Sequence, residues 1–313
     1  MFIEQGIKKE NDFWKYIVGS IAVIIASFIG QLPLVVVIFS QAISKGEMPT
    51  TQEDLMKYLN SNLSLFLMLL SFAFALGALY LVIKYFHKQT FLSVTTSRSN
   101  VDWSRIFFSF GIWTAFTVLS TVAMFYLEPK EMIWNFKPVP FLILFLISVV
   151  MIPIQTSTEE YIFRGYLMQG FGILAKNRWF PLLMTSVIFG GMHYFNPEVE
   201  KMGNLIMVYY IGTGLFLGII TLMDDGMELA LGFHAANNLI GALLVTSDWT
   251  VLQTNSIFKD ISDPSVGFDI LLPVLVVFPI VLYIFGKKYH WNNWKEKLTG
   301  TITTNDSILQ TNE

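Results

Sequence analysis

Cysteine is absent from the 313-residue sequence. Its absence excludes disulfides, thiolate metal sites and a cysteine nucleophile. Charge is scarce as well. Asp, Glu, Lys and Arg make up 14% of the residues, where a soluble domain carries about 25%. The net charge of −3 leaves no basic surplus for a nucleic-acid partner. In place of charge stand hydrophobic residues at 54% and aromatics at 15%, with a mean hydropathy of +0.56. They are gathered into long blocks. A bilayer core offers backbone groups no water to bond, so such blocks form spanning helices. The first block, Trp14–Phe39, exceeds the roughly 7–15 apolar residues of a signal peptide. It reads as an uncleaved first span.

Crossing a bilayer takes about 20 apolar residues. Eight blocks approach that length: Trp14–Phe39, Leu63–Phe86, Ile106–Leu127, Val139 to about Gly172, Trp179–Phe195, Leu205–Met223, Leu229–Val245 and Ile270–Phe285. The fold class expected is therefore all-α, a polytopic integral membrane bundle of about eight transmembrane helices, with the lipid bilayer as its first partner. An even number of spans puts both termini on one side. With the N-terminus in the cytoplasm, thirteen of the twenty Lys and Arg residues fall on cytoplasmic segments and six outside, with Arg164 inside a span. The positive-inside rule thus favours N-in, C-in. Trp14, Trp103, Trp134, Trp179, Trp291 and Trp294 sit near expected span ends, as an interfacial belt would. Four regions are expected: an N-terminal membrane region of three spans over 1–138, a core of spans four to seven over 139–246, a last loop and span over 247–286, and a cytoplasmic tail over 287–313. Residues Ser40–Ser61 read as an extramembrane loop with local helix, and Thr299–Glu313 as a mobile end.

Ionisable groups inside a span cost about 2.5–3.5 kcal/mol each and mark function by default. Three clusters stand out. In Thr158-Glu159-Glu160-Tyr161-Ile162-Phe163-Arg164, Glu160 and Arg164 share a helical face and can pair. Glu159 is rotated by about 100° and is free for another task. In Phe189-Gly190-Gly191-Met192-His193, the glycine pair permits close backbone approach. In His234-Ala235-Ala236-Asn237-Asn238, His234 and Asn238 lie on one face with small alanines between them. Each cluster also has a plainer reading, as an ion-pair brace, a satisfied core histidine or a polar clasp between helices. If the fourth and fifth blocks form a hairpin turning near Ala175–Arg178, Glu159 and His193 stand at similar heights, about 20 Å from the turn. His234 follows the Asp224–Gly226 turn on the same side.

Such a group has the parts for amide hydrolysis. Glu159 can act as general base on a water that His193 orients. His234 and Asn238 can donate to the oxygen where charge develops, and Glu160 with Arg164 braces the helix face. The same atoms permit a zinc site of Glu159, His193 and His234 with an open water position, although no His-Glu-x-x-His helix is present. No cofactor is required by the first chemistry. A proton-coupled transporter could use the same residues as a relay, but the paired broken helices of an inverted repeat are not evident.

Taken in order on successive spans, Glu159-Glu160-x-x-x-Arg164, Phe189-x-x-x-His193 and His234-x-x-x-Asn238 resemble the CPBP family, which comprises type II CAAX prenyl endopeptidases and bacterial Abi/bacteriocin-immunity membrane proteins. The resemblance covers roughly Val139–Val245. It implies an eight-helix intramembrane endopeptidase acting on a membrane-associated or prenylated protein or peptide, in the bacterial inner (cell) membrane. It further implies that Glu159 and His193 activate water and that His234 and Asn238 form the oxyanion site, by glutamate chemistry or as a metalloprotease. Some relatives of this kind serve immunity or scaffolding, so a non-catalytic protein is the alternative reading.

Overall fold

A computed structural model describes residues 1–7, 11–50, 52–263 and 267–302. Lys8 and Lys9 of the charge count and the end of the expected tail, from residue 303 onward, lie outside the described residues. Eight principal helices follow one another: α1 Phe13–Lys45, α2 Ser61–Phe86, α3 Trp103–Leu127, α4 Pro138–Ala175, α5 Trp179–Gly191, α6 Ile206–Asp224, α7 Glu228–Leu244 and α8 Ile270–Lys288. The protein is a polytopic helical bundle. Six of these helices, α1 to α4, α6 and α8, are long and apolar enough to cross a bilayer. The fifth and seventh blocks form shorter helices of 13 and 17 residues. At 1.5 Å per residue these reach only about 20 and 25 Å, short of a hydrocarbon core of about 30 Å. Glycine and a histidine-bearing turn end α5, and buried Glu228 begins α7, so polar residues set both limits.

The packing follows the apolar faces. α1 lies along α2, α2 along α4, α4 along α7 and α7 along α3, while α5 and α6 pair with each other. α7 is thus enclosed on both flanks, and its Phe233 sits 4.2 Å from the Trp113 ring of α3 and 4.7 Å from Phe216 of α6. Phe278 of α8 stacks on Phe216 at 4.6 Å. Two glycines let neighbouring backbone approach closely. A Cβ on Gly190 would stand 2.9 Å from the backbone nitrogen of Ile211, and one on Gly232 would stand 2.1 Å from the carbonyl oxygen of Ile106. The partner glycine Gly191 meets nothing within 4 Å.

The α4–α5 turn falls where the hairpin reading puts it. Lys176 ends α4 in the left-handed region at φ 54°, and Asn177 Oδ1 accepts the Phe180 N–H at 3.0 Å. The α6–α7 turn is pinned by an ionic cluster. Arg98 binds Asp224 at 3.0 Å and Glu228 at 3.1 Å, and Arg105 binds Asp224 at 2.8 Å. The loop before α3 and the first turn of α3 thereby fix the start of α7, and with it the height of His234. A small sheet not expected from the sequence caps the opposite end. Its strands are β1 Met132–Trp134, β2 Val245–Ser247 and β3 Phe258–Asp260. The order is β1-β3-β2, antiparallel between β1 and β3 and parallel between β2 and β3. Within the expected loop at Ser40–Ser61, α1 runs on to Lys45 and a short helix covers Gln52–Tyr58.

Candidate active site

α4 carries the two acids and the arginine. Its hydrogen bonding widens to a π-helix over Tyr161–Leu167, directly after Glu160. Such turns re-aim side chains and recur at functional sites. Thr156 and Thr158 return their hydroxyls to the carbonyls of Ile152 and Ile154, so neither competes for the acids. Glu160 and Arg164 are both fully buried and pair at 2.9 Å, as their spacing predicts. The guanidinium also donates to the Gly214 carbonyl of α6 at 3.1 Å and lies 4.4 Å over the Phe189 ring of α5. One cation therefore ties three helices together.

His234 of α7 meets both acids. Its Nδ1 donates to Glu160 Oε1 at 2.7 Å, and its Nε2 lies 3.5 Å from Glu159 Oε2. Glu159 is partly exposed, with 15% of its side-chain surface accessible, against none for Glu160. Its other oxygen accepts from Gln155 Nε2 at 2.7 Å. Asn238 reaches the same group through Gln155, donating to its Oε1 at 3.0 Å. Five of the six residues singled out from the sequence, Glu159, Glu160, Arg164, His234 and Asn238, thus belong to one polar cluster, whose two hydrogen-bonded halves meet at the 3.5 Å contact between His234 Nε2 and Glu159 Oε2.

His193 stands apart from it by one ring. It lies in the turn beyond α5, where Nδ1 donates to the Phe189 carbonyl at 2.8 Å. A carbonyl only accepts, so in the neutral ring Nε2 is the acceptor nitrogen. The imidazole stacks on Tyr210 at 4.5 Å. The Phe189 ring lies 4.9 Å from that of His193 and 6.0 Å from that of His234, so it touches both sides. The imidazole at Glu159 is that of His234 rather than His193, because α7 is clasped between α3 and α4 at this height. Zinc shared by Glu159, His193 and His234 would need three donors around one point. Among the described residues no three His, Cys, Asp or Glu side chains are so arranged. The donor set does not fit a metal centre.

Several participants escaped the sequence reading. Gln155, Asn237 and Trp113 complete the network, and nothing but tertiary contact distinguishes them from ordinary span residues. Glu198, on the short helix Pro197–Met202, accepts the Val251 N–H at 2.9 Å. Its second oxygen is buried with no hydrogen-bond partner among the described residues. Burial raises its pKa above the ordinary carboxylate value, opposed by that amide and by nearby His193. A cavity of about 350 Å³ lies elsewhere, between the N-terminal ends of α2 and α4, lined by Asn60, Leu63, Phe66 and Val139. Val139 is 20 residues from Glu159 along α4, about 30 Å, so that cavity has no part in this chemistry.

Residues 138–240 match the Rce1-like family, type II CAAX prenyl endopeptidase Rce1-like. This segment holds all three motifs, and it bears out the resemblance read from them. At the level of the family the Rce1-like match supports a CAAX-type intramembrane protease. It covers a third of the chain, from the start of α4 into α7. The chain is also 27% identical over 259 residues to the uncharacterized protein YyaK of Bacillus subtilis (strain 168), covering 82% of this chain and 83% of that relative. No solved structure matches the chain.

Proposed function

We propose that the chain is an intramembrane endopeptidase of the glutamate type, hydrolysing a peptide bond in a membrane-associated or prenylated substrate. The observation that carries this reading is the placement of Glu159. It is a partly exposed carboxylate beside the His234 imidazole, on a helix braced by the buried Glu160–Arg164 pair. In the reaction, Glu159 Oε2 takes a proton from water, and His193 orients that water through Nε2. The hydroxide oxygen bonds to the carbonyl carbon. His234 and Asn238 donate to the oxygen that becomes negative, His234 from Nε2 in its imidazolium form because Nδ1 already serves Glu160. The carbon–nitrogen bond then breaks, and the proton held by Glu159 passes to the departing amine.

The charge distribution supports an N-in, C-in arrangement, and the resemblance to bacterial members of the family supports a bacterial inner (cell) membrane, with residues 139–246 as the catalytic core and the substrate approaching from the cytoplasmic side. The test uses the full chain in proteoliposomes offered a farnesylated CAAX-type peptide and its unmodified counterpart. Glu159→Ala, His193→Ala and His234→Ala should each lower cleavage by about 100-fold or more, with insertion and helix content unchanged. Undiminished cleavage by the triple variant would refute the proposal.

A further inference from the structure

We infer that Trp113, Asn237 and Gln155 form a one-way hydrogen-bond relay that positions Glu159 and Asn238 for the hydrolysis proposed above; the inference rests on that reading for its purpose, though not for its geometry. The relay begins on α3, outside the segment that matches the family. Trp113 Nε1 donates to Asn237 Oδ1 at 3.0 Å. Asn237 Nδ2 donates to Asn238 Oδ1 at 3.0 Å. Asn238 Nδ2 donates to Gln155 Oε1 at 3.0 Å, and Gln155 Nε2 donates to Glu159 Oε1 at 2.7 Å.

The direction of this chain is dictated by its ends. An indole nitrogen can only donate, and an ionised carboxylate can only accept. Three amides lie between them, and each could by itself be turned about. Trp113 forces the oxygen of Asn237 toward itself, which turns the Asn237 amino group toward Asn238. That in turn holds the oxygen of Asn238 and aims its amino group at Gln155. Gln155 is then left with its own amino group for Glu159. The two ends agree, so no amide in the series has a competing orientation.

Two consequences follow for catalysis. Glu159 receives a donor that favours its ionised form, the form a general base needs. Its rotation is also restrained at one oxygen, which leaves Oε2 facing His234. Asn238 spends one amino hydrogen on Gln155 and keeps the second for a substrate oxygen, with the amide plane held by Asn237. Trp113 and Gln155 are 5% and 7% exposed, so water is poorly placed to replace either link. Trp113 also packs on Phe233 and Phe116 at 4.2 and 4.9 Å, which fixes the indole that starts the series. Trp113, Asn237 and Gln155 are positioning residues. None is offered as a group that touches the substrate.

Trp113→Phe removes the first donor and keeps an aromatic ring in place. Gln155→Met removes the last donor at similar volume. The infrared carboxylic-acid band that disappears in Glu159→Gln reports the protonation of Glu159 without need of turnover. Its midpoint should move to higher pH by about one unit in Gln155→Met and by about half that in Trp113→Phe. The acid limb of kcat/KM should move in parallel, with kcat falling about threefold to tenfold and KM little changed. Because both residues act through one chain, the double variant should match Gln155→Met alone instead of summing the two effects. An unmoved midpoint in Trp113→Phe, or additive shifts in the double variant, would overturn the relay. A midpoint that moves in a protein without Glu159-dependent cleavage would retain the relay and discard the peptidase reading.

Discussion

Arg164→Met removes the guanidinium that anchors the centre of the bundle. In the structure this group is fully buried, pairs with Glu160 at 2.9 Å, donates to Gly214 at 3.1 Å and lies 4.4 Å over the Phe189 ring. Methionine retains much of the volume and none of the charge. Glu160 would then be a buried carboxylate with only His234 as a donor at its Oε1, its Oε2 already lacking a hydrogen-bond partner. Breaking a buried pair from one side typically costs about 3–5 kcal/mol. Adding Glu160→Gln removes the stranded charge while keeping an amide oxygen to accept from His234. The double variant should therefore recover about half of the loss, since neutral replacement of a buried pair is often close to neutral. The assay is reversible unfolding of the purified protein in mixed micelles, with helix content followed by circular dichroism. A loss below about 1 kcal/mol in Arg164→Met, or a double variant less stable than the single one, would refute this account of the brace.

Other outcomes follow from the same geometry. His87 is buried, with its ring nitrogens on Asn11 and Tyr166, and burial aided by the charge of Lys15 lowers its pKa to about 4. The unfolded chain binds this proton at about pH 6.5 and the folded chain only near 4, so stability should fall as pH drops through that interval; His87→Gln should flatten the slope in micelle unfolding measured between pH 7 and 4. Glu198 behaves oppositely. Its folded pKa is raised by burial, so its contribution is full below the ordinary carboxylate value near 4.5 and is lost as pH rises through the folded pKa; Glu198→Gln should gain about 1 kcal/mol at pH 7, seen as a higher unfolding midpoint. Gly190→Val would bring a Cβ within 2.4 Å of Ile211 Cγ1, separating α5 from α6. It should lower thermal stability by about 2–3 kcal/mol and displace His193, detectable as altered spacing between spin labels at Val187 and Val208.

Local spacing made part of this site legible in advance. Glu160 and Arg164 pair because residues four apart on a helix share a face, and the turn at Lys176–Arg178 lies between two apolar runs. The lengths of α5 and α7 were harder to see. Apolar residues continue past Gly191 to Phe195, while the helix itself stops at the glycine pair, and hydropathy alone does not report that stop. The π segment at Tyr161–Leu167 has no compositional mark, since its residues would serve equally in an α-helix. The side-chain neighbour of Glu159 was not legible in the sequence. A two-helix hairpin sets heights along α4 and α5, but the lateral neighbour is chosen by packing of α7 between α3 and α4. Gln155 and Trp113 are ordinary residues in their own spans, and only the assembled bundle brings them to Asn238 and Asn237.

Comparing membrane-peptide termini from cells that carry the wild-type chain with those that carry Glu159→Gln at equal abundance puts the peptidase proposal to its most direct test. Cleavage by Glu159-activated water predicts a set of new carboxyl termini present in the first sample and missing from the second. Identical termini in both would contradict it.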